Sequence, residues 1–138
     1  MTTSPADGLA VPDDLLYTPD HEWLRRDDGQ PGEAVVGITG YAQDQLGDVV
    51  YLELPAVGDV LVAGERFGEI ESVKTVSDLY APLGGEVLAT NGELVDRPEL
   101  VNSAPYGDGW LVRVCVGDES DLAALLDADA YRRLLSAG

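Results

Sequence analysis

Short alternating runs of apolar and polar residues, separated by Gly, Pro and Asp, recur along the chain and predict strands joined by tight turns. The clearest pair is Glu69 to Val73 and Val76 to Ala81, with Lys74 and Thr75 between them. A gap of two residues predicts a tight hairpin with Lys74 at its tip. Lys-Thr does not favour the positive φ angles of such turns, and places where turn chemistry fails are candidates for function.

The same alternation predicts more strands on both sides of this hairpin. A long turn over residues 27–32 joins the predicted strands that begin at Glu22 and Ala34, and Pro55 ends the predicted strand that begins at Asp48. Thr39 is placed to cap a helical turn over residues 41–46, which Gly47 ends. The predicted strands are Glu22 to Arg26, Ala34 to Ile38, Asp48 to Leu54 and Trp110 to Val116.

A weak internal repeat flanks the Lys74 hairpin. Residues 58–65 (GDVLVAGE) resemble residues 85–93 (GEVLATNGE), with one residue inserted in the second copy. The repeat predicts two strand-turn units related by an approximate twofold axis, packed as two facing sheets. After it, residues 95–106 are rich in Pro, Asn and Ser and predict an irregular surface loop.

Both ends of the chain differ from this β pattern. Residues 1–14 contain little apolar material and predict a mobile leader, so a single domain is expected over residues 15–138. Near the C-terminus, Asp118 and Ser120 can cap a helix. Leu122, Leu125 and Leu126 fall on one face of this helix, and Leu134 and Leu135 are expected in a further turn or second short helix that lays an apolar stripe on the sandwich.

The charge of the chain restricts its partners. The 138 residues carry a formal net charge of −18, which argues against binding to nucleic acids or to anionic membranes and favours partners with basic docking surfaces. No apolar run approaches the roughly 20 residues that span a bilayer. The first two dozen residues contain no Lys or Arg, unlike a signal or transit peptide. We expect a monomeric protein of the cytoplasm.

Lys74 is the only lysine in the chain, and the other basic residues are arginines. Arginine stays protonated, whereas a lysine amine can lose its proton and be acylated. A lone lysine at the tip of a hairpin therefore suggests covalent attachment, although a solvated turn residue has the same appearance in sequence. The single Cys115 lies in an apolar strand, which predicts a buried, inert thiol.

Known enzyme signatures are missing from the sequence. There is no phosphate-binding Gly-rich loop and no His or Cys pair with metal-ligand spacing, so no metal site is expected. The single His21 has no recognisable nucleophile motif beside it, which predicts a structural or surface role. These features favour a carrier that presents a group to other enzymes over a catalyst.

Blocks of residues along most of the chain resemble the H-protein family of the glycine cleavage system. The central block, ESVK at 71–74 followed by VSDLYAP at 76–82, resembles the lipoylation site of that family. Coverage runs from about Leu15 to Leu135. Further matching blocks are DHEW at 20–23, VGIT at 36–39, YAQ at 41–43, LGDVV at 46–50, ELP at 53–55, PELVN at 98–102 and PYGDGW at 105–110.

The resemblance implies a mostly β, barrel-sandwich hybrid of the lipoyl/biotinyl type with short flanking and C-terminal helices. It implies lipoate in amide linkage to Lys74. Biotin fits less well, because biotin-accepting lysines resemble a Met-Lys-Met setting and this one lies between Val73 and Thr75. A separate enzyme would attach the lipoate.

The family resemblance also implies three partner enzymes and a cargo. A pyridoxal-phosphate glycine decarboxylase would load an aminomethyl group, a tetrahydrofolate-dependent aminomethyltransferase would remove the one-carbon unit, and a flavin dihydrolipoamide dehydrogenase would reoxidise the dithiol. The cargo can hydrolyse in water, so a partly dry cleft is expected. The resemblance places it beside Glu22 and near Asp78, and we hypothesise that Glu22, with Asp78 possible, binds the aminomethyl ammonium.

Three alternatives remain open at this stage. An H-like carrier could relay lipoyl groups to 2-oxoacid dehydrogenase subunits. An unmodified acidic adaptor could have lost the cofactor, in which case Lys74 would stay free. A hydrolase that uses His21 would lack a nucleophile.

Overall fold

The computed structural model describes residues 10–26 and 32–137. Within these ranges the chain forms nine strands and five short helices. In chain order they are β1 (Leu16–Tyr17), β2 (Glu22–Arg26), β3 (Glu33–Ile38), α1 (Gly40–Leu46), β4 (Val49–Glu53), β5 (Val60–Leu61), β6 (Arg66–Ser72), β7 (Val76–Tyr80), β8 (Gly85–Thr90), α2 (Glu93–Asp96), α3 (Leu100–Ser103), β9 (Val112–Val116), α4 (Ser120–Ala123) and α5 (Ala128–Ala137).

The strands form two antiparallel sheets. The larger sheet has the order β1-β2-β3-β9-β8-β5, and the smaller one has the order β4-β6-β7. Apolar side chains from both sheets, such as Ile70 and Leu79 of the smaller and Val87 and Val114 of the larger, form one core. The prediction of a mostly β sandwich with short helices is confirmed.

Strands β2 and β3 are buried on both faces. Successive side chains of a strand point to opposite faces, and here Leu24 and Val36 enter the core between the sheets. Their neighbours Trp23 and Val35 pack in a second apolar cluster with Tyr131 of α5. The C-terminal helix therefore covers the outer face of β2 and β3, which explains the continuous apolar run Ala34 to Val36 in β3.

Gly37 is required by the packing of Trp23. The two residues are directly opposite each other in the β2-β3 ladder. A Cβ atom on Gly37 would lie 2.5 Å from Cζ2 of Trp23, far inside van der Waals contact. The indole cannot move aside freely, because its Nε1 donates a hydrogen bond to the Pro105 carbonyl at 3.0 Å.

The prediction of a surface loop over residues 95–106 is wrong. This segment includes the end of α2 and all of α3, and it buries Leu100 and Val101 in the main core. The helices have four residues each, too few to show a 3.6-residue periodicity in the sequence.

The predicted arrangement of the internal repeat is also wrong. The two copies do not lie on facing sheets, because β5 of the first copy pairs with β8 of the second at the edge of the larger sheet. The register places Val60 opposite Glu86 and Leu61 opposite Gly85. The two similar segments therefore contain neighbouring strands of one sheet.

Cys115 is exposed, which contradicts the predicted buried thiol. In β9 the side chains of Val112 and Val114 point into the core, so those of Arg113 and Cys115 lie on the other face. The flanking apolar residues concealed this alternation in the sequence.

Other local predictions are confirmed. The Thr39 hydroxyl accepts a hydrogen bond from the Ala42 amide and caps α1, and Gly47 ends that helix with φ 79°.

Most of the predicted 27–32 turn and residues 1–9 of the predicted leader lie outside the described residues. Residues 10–14 lie against the body, where the Val11 carbonyl accepts a hydrogen bond from Arg132. No helix among the described residues is long and apolar enough to cross a membrane.

Candidate functional site

Lys74 lies at the tip of the β6-β7 hairpin, as the sequence predicts. The strands end at Ser72 and resume at Val76, so the tip comprises three residues where the sequence predicted two. Among the described non-glycine residues, positive φ occurs at His21 alone. The turn therefore forms without the backbone angles that Lys-Thr disfavours, and the expected conflict in turn chemistry does not arise.

The Ser72 side chain closes this turn. Its hydroxyl oxygen accepts hydrogen bonds from the amides of Lys74, at 3.3 Å, and Thr75, at 3.1 Å. The Ser72 amide donates to the Thr75 carbonyl at 2.8 Å. Since the Ser72 side chain is buried, these bonds are shielded from competing water, and the backbone of the tip is fixed.

The Lys74 side chain remains accessible above the turn. The residue is exposed, and its amine makes no ion pair with any described residue. Its methylene groups lie over Gly47, where a Cβ atom would be 3.4 Å from Cε of Lys74. Two exposed valines, Val73 and Val76, flank it. An amine in this setting is open to acylation by another protein.

Asn102 supports the hairpin from below, a role that the sequence did not reveal. Its amide nitrogen donates to the Gly47 carbonyl at 2.8 Å and to Oε1 of Gln43 at 3.1 Å. Its oxygen accepts from the Val49 amide at 2.9 Å. Between Gly47 and Val49, the Asp48 carbonyl accepts a hydrogen bond from the amide of Val73. One side chain thus links α1, α3 and β4 to the tip.

A cleft of about 360 Å³ begins beside the hairpin tip. Thr75, which follows Lys74, lines one end of it, together with Ser77 and Asp78 of β7. Helix α1 forms another wall, and the segment Asp20 to Glu22 a third. Apolar side chains line the space between these polar groups, namely Ile38, Leu46, Ile70 and Leu79. The structure thus brings Glu22 and Asp78 to the same cleft.

Glu22 is a buried carboxyl group with neutral partners. It is 2% exposed, and its two oxygens accept hydrogen bonds from the Thr18 hydroxyl at 2.7 Å and the Tyr80 amide at 3.2 Å. Burial raises the pKa of Glu22 from 4.5 to about 8, although these hydrogen bonds oppose the shift. An incoming cation would stabilise the ionised form and lower this pKa again.

Asp78 is an exposed carboxylate that already has a cation partner. Its Oδ1 accepts a hydrogen bond from Nε of Arg66 at 3.0 Å. The same guanidinium contacts Glu69 at 2.9 Å and Glu53 at 3.3 Å, so three carboxylates in one row across β4, β6 and β7 share one arginine. A ligand cation would therefore meet an Asp78 already paired with Arg66 and a Glu22 that has no cationic partner in the described part of the chain.

His21 lies in the cleft wall, in a conformation that the sequence did not predict. Its backbone has φ 71°, and its ring is tilted against Tyr41, with centroids 4.8 Å apart. Nδ1 lies 2.7 Å from the hydroxyl of Tyr131 on α5. No signal in the local sequence links residues 110 positions apart.

Comparisons with known proteins give one family. The family described as "Glycine cleavage H-protein" matches residues 15–138. A glycine cleavage system H protein of Listeria monocytogenes (serotype 4a) is 53% identical over 127 residues, covering 92% of this chain and 99% of the relative. One from Shewanella frigidimarina is 53% identical over 125 residues, covering 91% and 95%.

A solved structure agrees with these relatives. The crystal structure of a glycine cleavage system H protein from Mycobacterium marinum superposes with a TM-score of 0.79 at 42% identity. The match covers 91% of this chain and 98% of that one.

Asn102→Ala should loosen the hairpin tip. It removes three hydrogen bonds and leaves the Gly47 carbonyl and the Val49 amide without this partner, so we expect unfolding to cost about 1–3 kcal/mol less. Hydrogen exchange at the Val73 amide should accelerate, measured by NMR. Ser103→Ala, at an exposed neighbour on α3, is the matched control. Unchanged exchange at Val73 in Asn102→Ala would show that Asn102 does not support the tip.

Glu22→Gln should change how stability depends on pH. Between pH 4.5 and about 8 the folded chain keeps the Glu22 proton that the unfolded chain releases, so the parent loses stability as pH rises through this window. Glutamine does not titrate. The unfolding free energy of the variant minus that of the parent should therefore increase by roughly 2–4 kcal/mol from pH 5 to pH 9. Parallel pH profiles in denaturant titrations would contradict the raised pKa.

Proposed function

Because this chain belongs to the glycine cleavage H-protein family, we propose that Lys74 holds lipoate through an amide bond to its Nζ. The chain acts as the lipoyl carrier of the glycine cleavage system. The observation that carries the Lys74 assignment is the exposed amine, which pairs with no described residue, on a turn whose backbone is fixed by Ser72.

The environment of Lys74 suits this attachment. Forming the amide joins the lipoate carboxyl carbon to Nζ with loss of water, and it removes the positive charge of the lysine. No ion pair with a described residue has to be broken first. When bound, lipoate supplies a disulfide that accepts the aminomethyl group and a dithiol that is later reoxidised. The fixed turn directs the arm away from the body or along the cleft that begins at Thr75.

The carrier role assigns the chemistry to partner enzymes. We propose a pyridoxal-phosphate glycine decarboxylase, a tetrahydrofolate-dependent aminomethyltransferase, a dihydrolipoamide dehydrogenase and a lipoate-attaching enzyme as the partners, with this chain non-catalytic. The net charge of −18 favours docking surfaces that are basic. The cytoplasmic location, the monomeric state and the leader boundary at residue 14 stay predictions.

Glu22 is the better candidate for holding the aminomethyl ammonium. It is buried, has neutral hydrogen-bond donors and faces the cleft, so ionisation on meeting a cation would create a short, shielded ion pair. Asp78 lies in the same cleft, but Arg66 competes for its carboxylate. We propose that Glu22 binds the cargo ammonium and that Asp78 contributes a weaker, screened attraction.

Lys74→Arg should abolish lipoylation. The intact mass of the parent, expressed with lipoate and its attaching enzyme, should show one lipoyl increment, and the variant should show none because arginine keeps its charge and is not acylated. The variant should fold normally, since its side chain is exposed. A parent mass without the increment would favour the unmodified adaptor, and an increment that persists in Lys74→Arg would place the arm elsewhere.

Glu22→Gln should shorten the lifetime of the aminomethyl cargo, measured as formaldehyde release from the loaded protein. At pH 6.5 the parent carboxyl keeps its proton more often than at pH 8.5, so the difference between parent and variant should grow with pH. Asp78→Asn should have a smaller effect. Equal lifetimes for parent and Glu22→Gln at pH 8.5 would remove Glu22 from the site.

A further inference from the structure

Tyr131 and Thr39 determine which nitrogen of His21 carries the proton. The Tyr131 oxygen lies 2.7 Å from Nδ1 of His21 and 2.8 Å from the Thr39 hydroxyl. Both Tyr131 and Thr39 have no exposed surface. Buried hydroxyl protons in native proteins find acceptors, so the three groups must share their protons in one consistent direction.

One of the two possible directions satisfies every group. If Nδ1 carried the proton, Tyr131 would accept it and donate onward to Thr39, and the buried Thr39 proton would have no acceptor among the described residues. In the opposite direction Thr39 donates to Tyr131 and Tyr131 donates to Nδ1. The Thr39 oxygen still accepts from the Ala42 amide at 3.2 Å. The second direction leaves the proton of neutral His21 on Nε2.

The ring of His21 is held in the cleft wall by its Nδ1 side. The residue lines the cleft and packs on Tyr41, which also lines it. Nε2 makes no hydrogen bond to any described residue. Burial lowers the pKa of His21 and so favours the neutral ring, although the charge of Asp20 opposes this shift. Its left-handed backbone is anchored on both sides, because the amide donates to the Thr18 carbonyl and the carbonyl accepts from the Thr39 amide.

We infer that His21 is an arm-binding residue, whose Nε2–H donates a hydrogen bond to the free sulfur of the loaded lipoyl arm, with Tyr131 as the positioning residue that fixes this tautomer. The inference rests on the proposed function. A neutral N–H group matches the lone pairs of sulfur and cannot accept from an ammonium group. The cleft therefore offers complementary groups to the loaded arm: a carboxyl for the ammonium of the cargo and an imidazole for the free thiol of the arm.

The tautomer can be read directly, because the chain contains a single histidine. In nitrogen-15 NMR of the lipoylated protein, the ring should show a protonated Nε2 and an unprotonated Nδ1. Tyr131→Phe removes the hydroxyl but keeps the ring, whose centroid lies 4.6 Å from that of Tyr17 in a stacked pair. This variant should give a mixture of tautomers. Tyr106→Phe removes a hydroxyl that bonds Gly40 and not His21, and it should leave the tautomer unchanged. A protonated Nδ1 in the parent overturns the inference.

Contact with the arm is tested by loading the cargo. The dithiol form is treated with ammonia and formaldehyde, which forms the carbon–sulfur bond with loss of water. The Nε2 signal should then shift and its proton should exchange more slowly with water than in the disulfide form. An identical Nε2 signal in both forms overturns the inference even when the tautomer is as expected.

Thiol reactivity gives a second readout in a Cys115→Ser background, which removes the exposed protein thiol. His21→Asn tolerates the left-handed backbone, but its shorter side chain loses the imidazole donor. Without this hydrogen bond the fraction of the arm outside the cleft should rise about three- to tenfold, as expected for one lost hydrogen bond, so its free thiol should react with a maleimide faster by the same factor. Equal rates contradict the inference. Intact mass, measured first, separates these outcomes from failure of lipoylation at Lys74.

Discussion

The buried hydroxyl of Ser72 is the contact on which the presentation of Lys74 depends. A three-residue turn without glycine leaves backbone amides that need partners, and Ser72 accepts from two of them. Asn102 fixes the neighbouring segment, whose Asp48 carbonyl receives the Val73 amide. The two side chains together fix the backbone of the turn without contacting the exposed Lys74 amine, so that the amine stays available for modification.

The site combines an exposed tip with a buried carboxyl group. Lys74 is open to solvent. Glu22 is 2% exposed, because it lies in a strand that is covered on both faces. Helix α5 contributes to the second feature, because it closes the outer face of β2, and it also brings Tyr131 to His21. A carrier of a hydrolysable group needs both features, since partner enzymes must reach the arm for attachment and transfer, whereas storage of the group requires that water be excluded.

The sequence predicted what local patterns determine. Alternation located the main strands, Thr39 and Gly47 marked the ends of α1, and the two-residue gap between predicted strands placed Lys74 at a hairpin tip. Short helices such as α3 and the exposure of Cys115 were missed, because their signals extend over too few residues or were hidden by apolar neighbours. The contacts of Asn102 and Tyr131 join residues about 55 and 110 positions apart, and one sequence contains no information on such pairings.

The central claim is that an arm on Lys74 enters the cleft that reaches Glu22. Mapping amide chemical shifts of the lipoylated protein tests this most directly, by comparing the disulfide form with the aminomethyl-loaded form. Loading should shift the signals of Glu22, Ala42 and Ser77, which line the cleft, and leave those of the exposed Val57 and Val95 unchanged. Shifts confined to Val73, Lys74 and Thr75 would show that the loaded arm stays in solvent and would contradict the account.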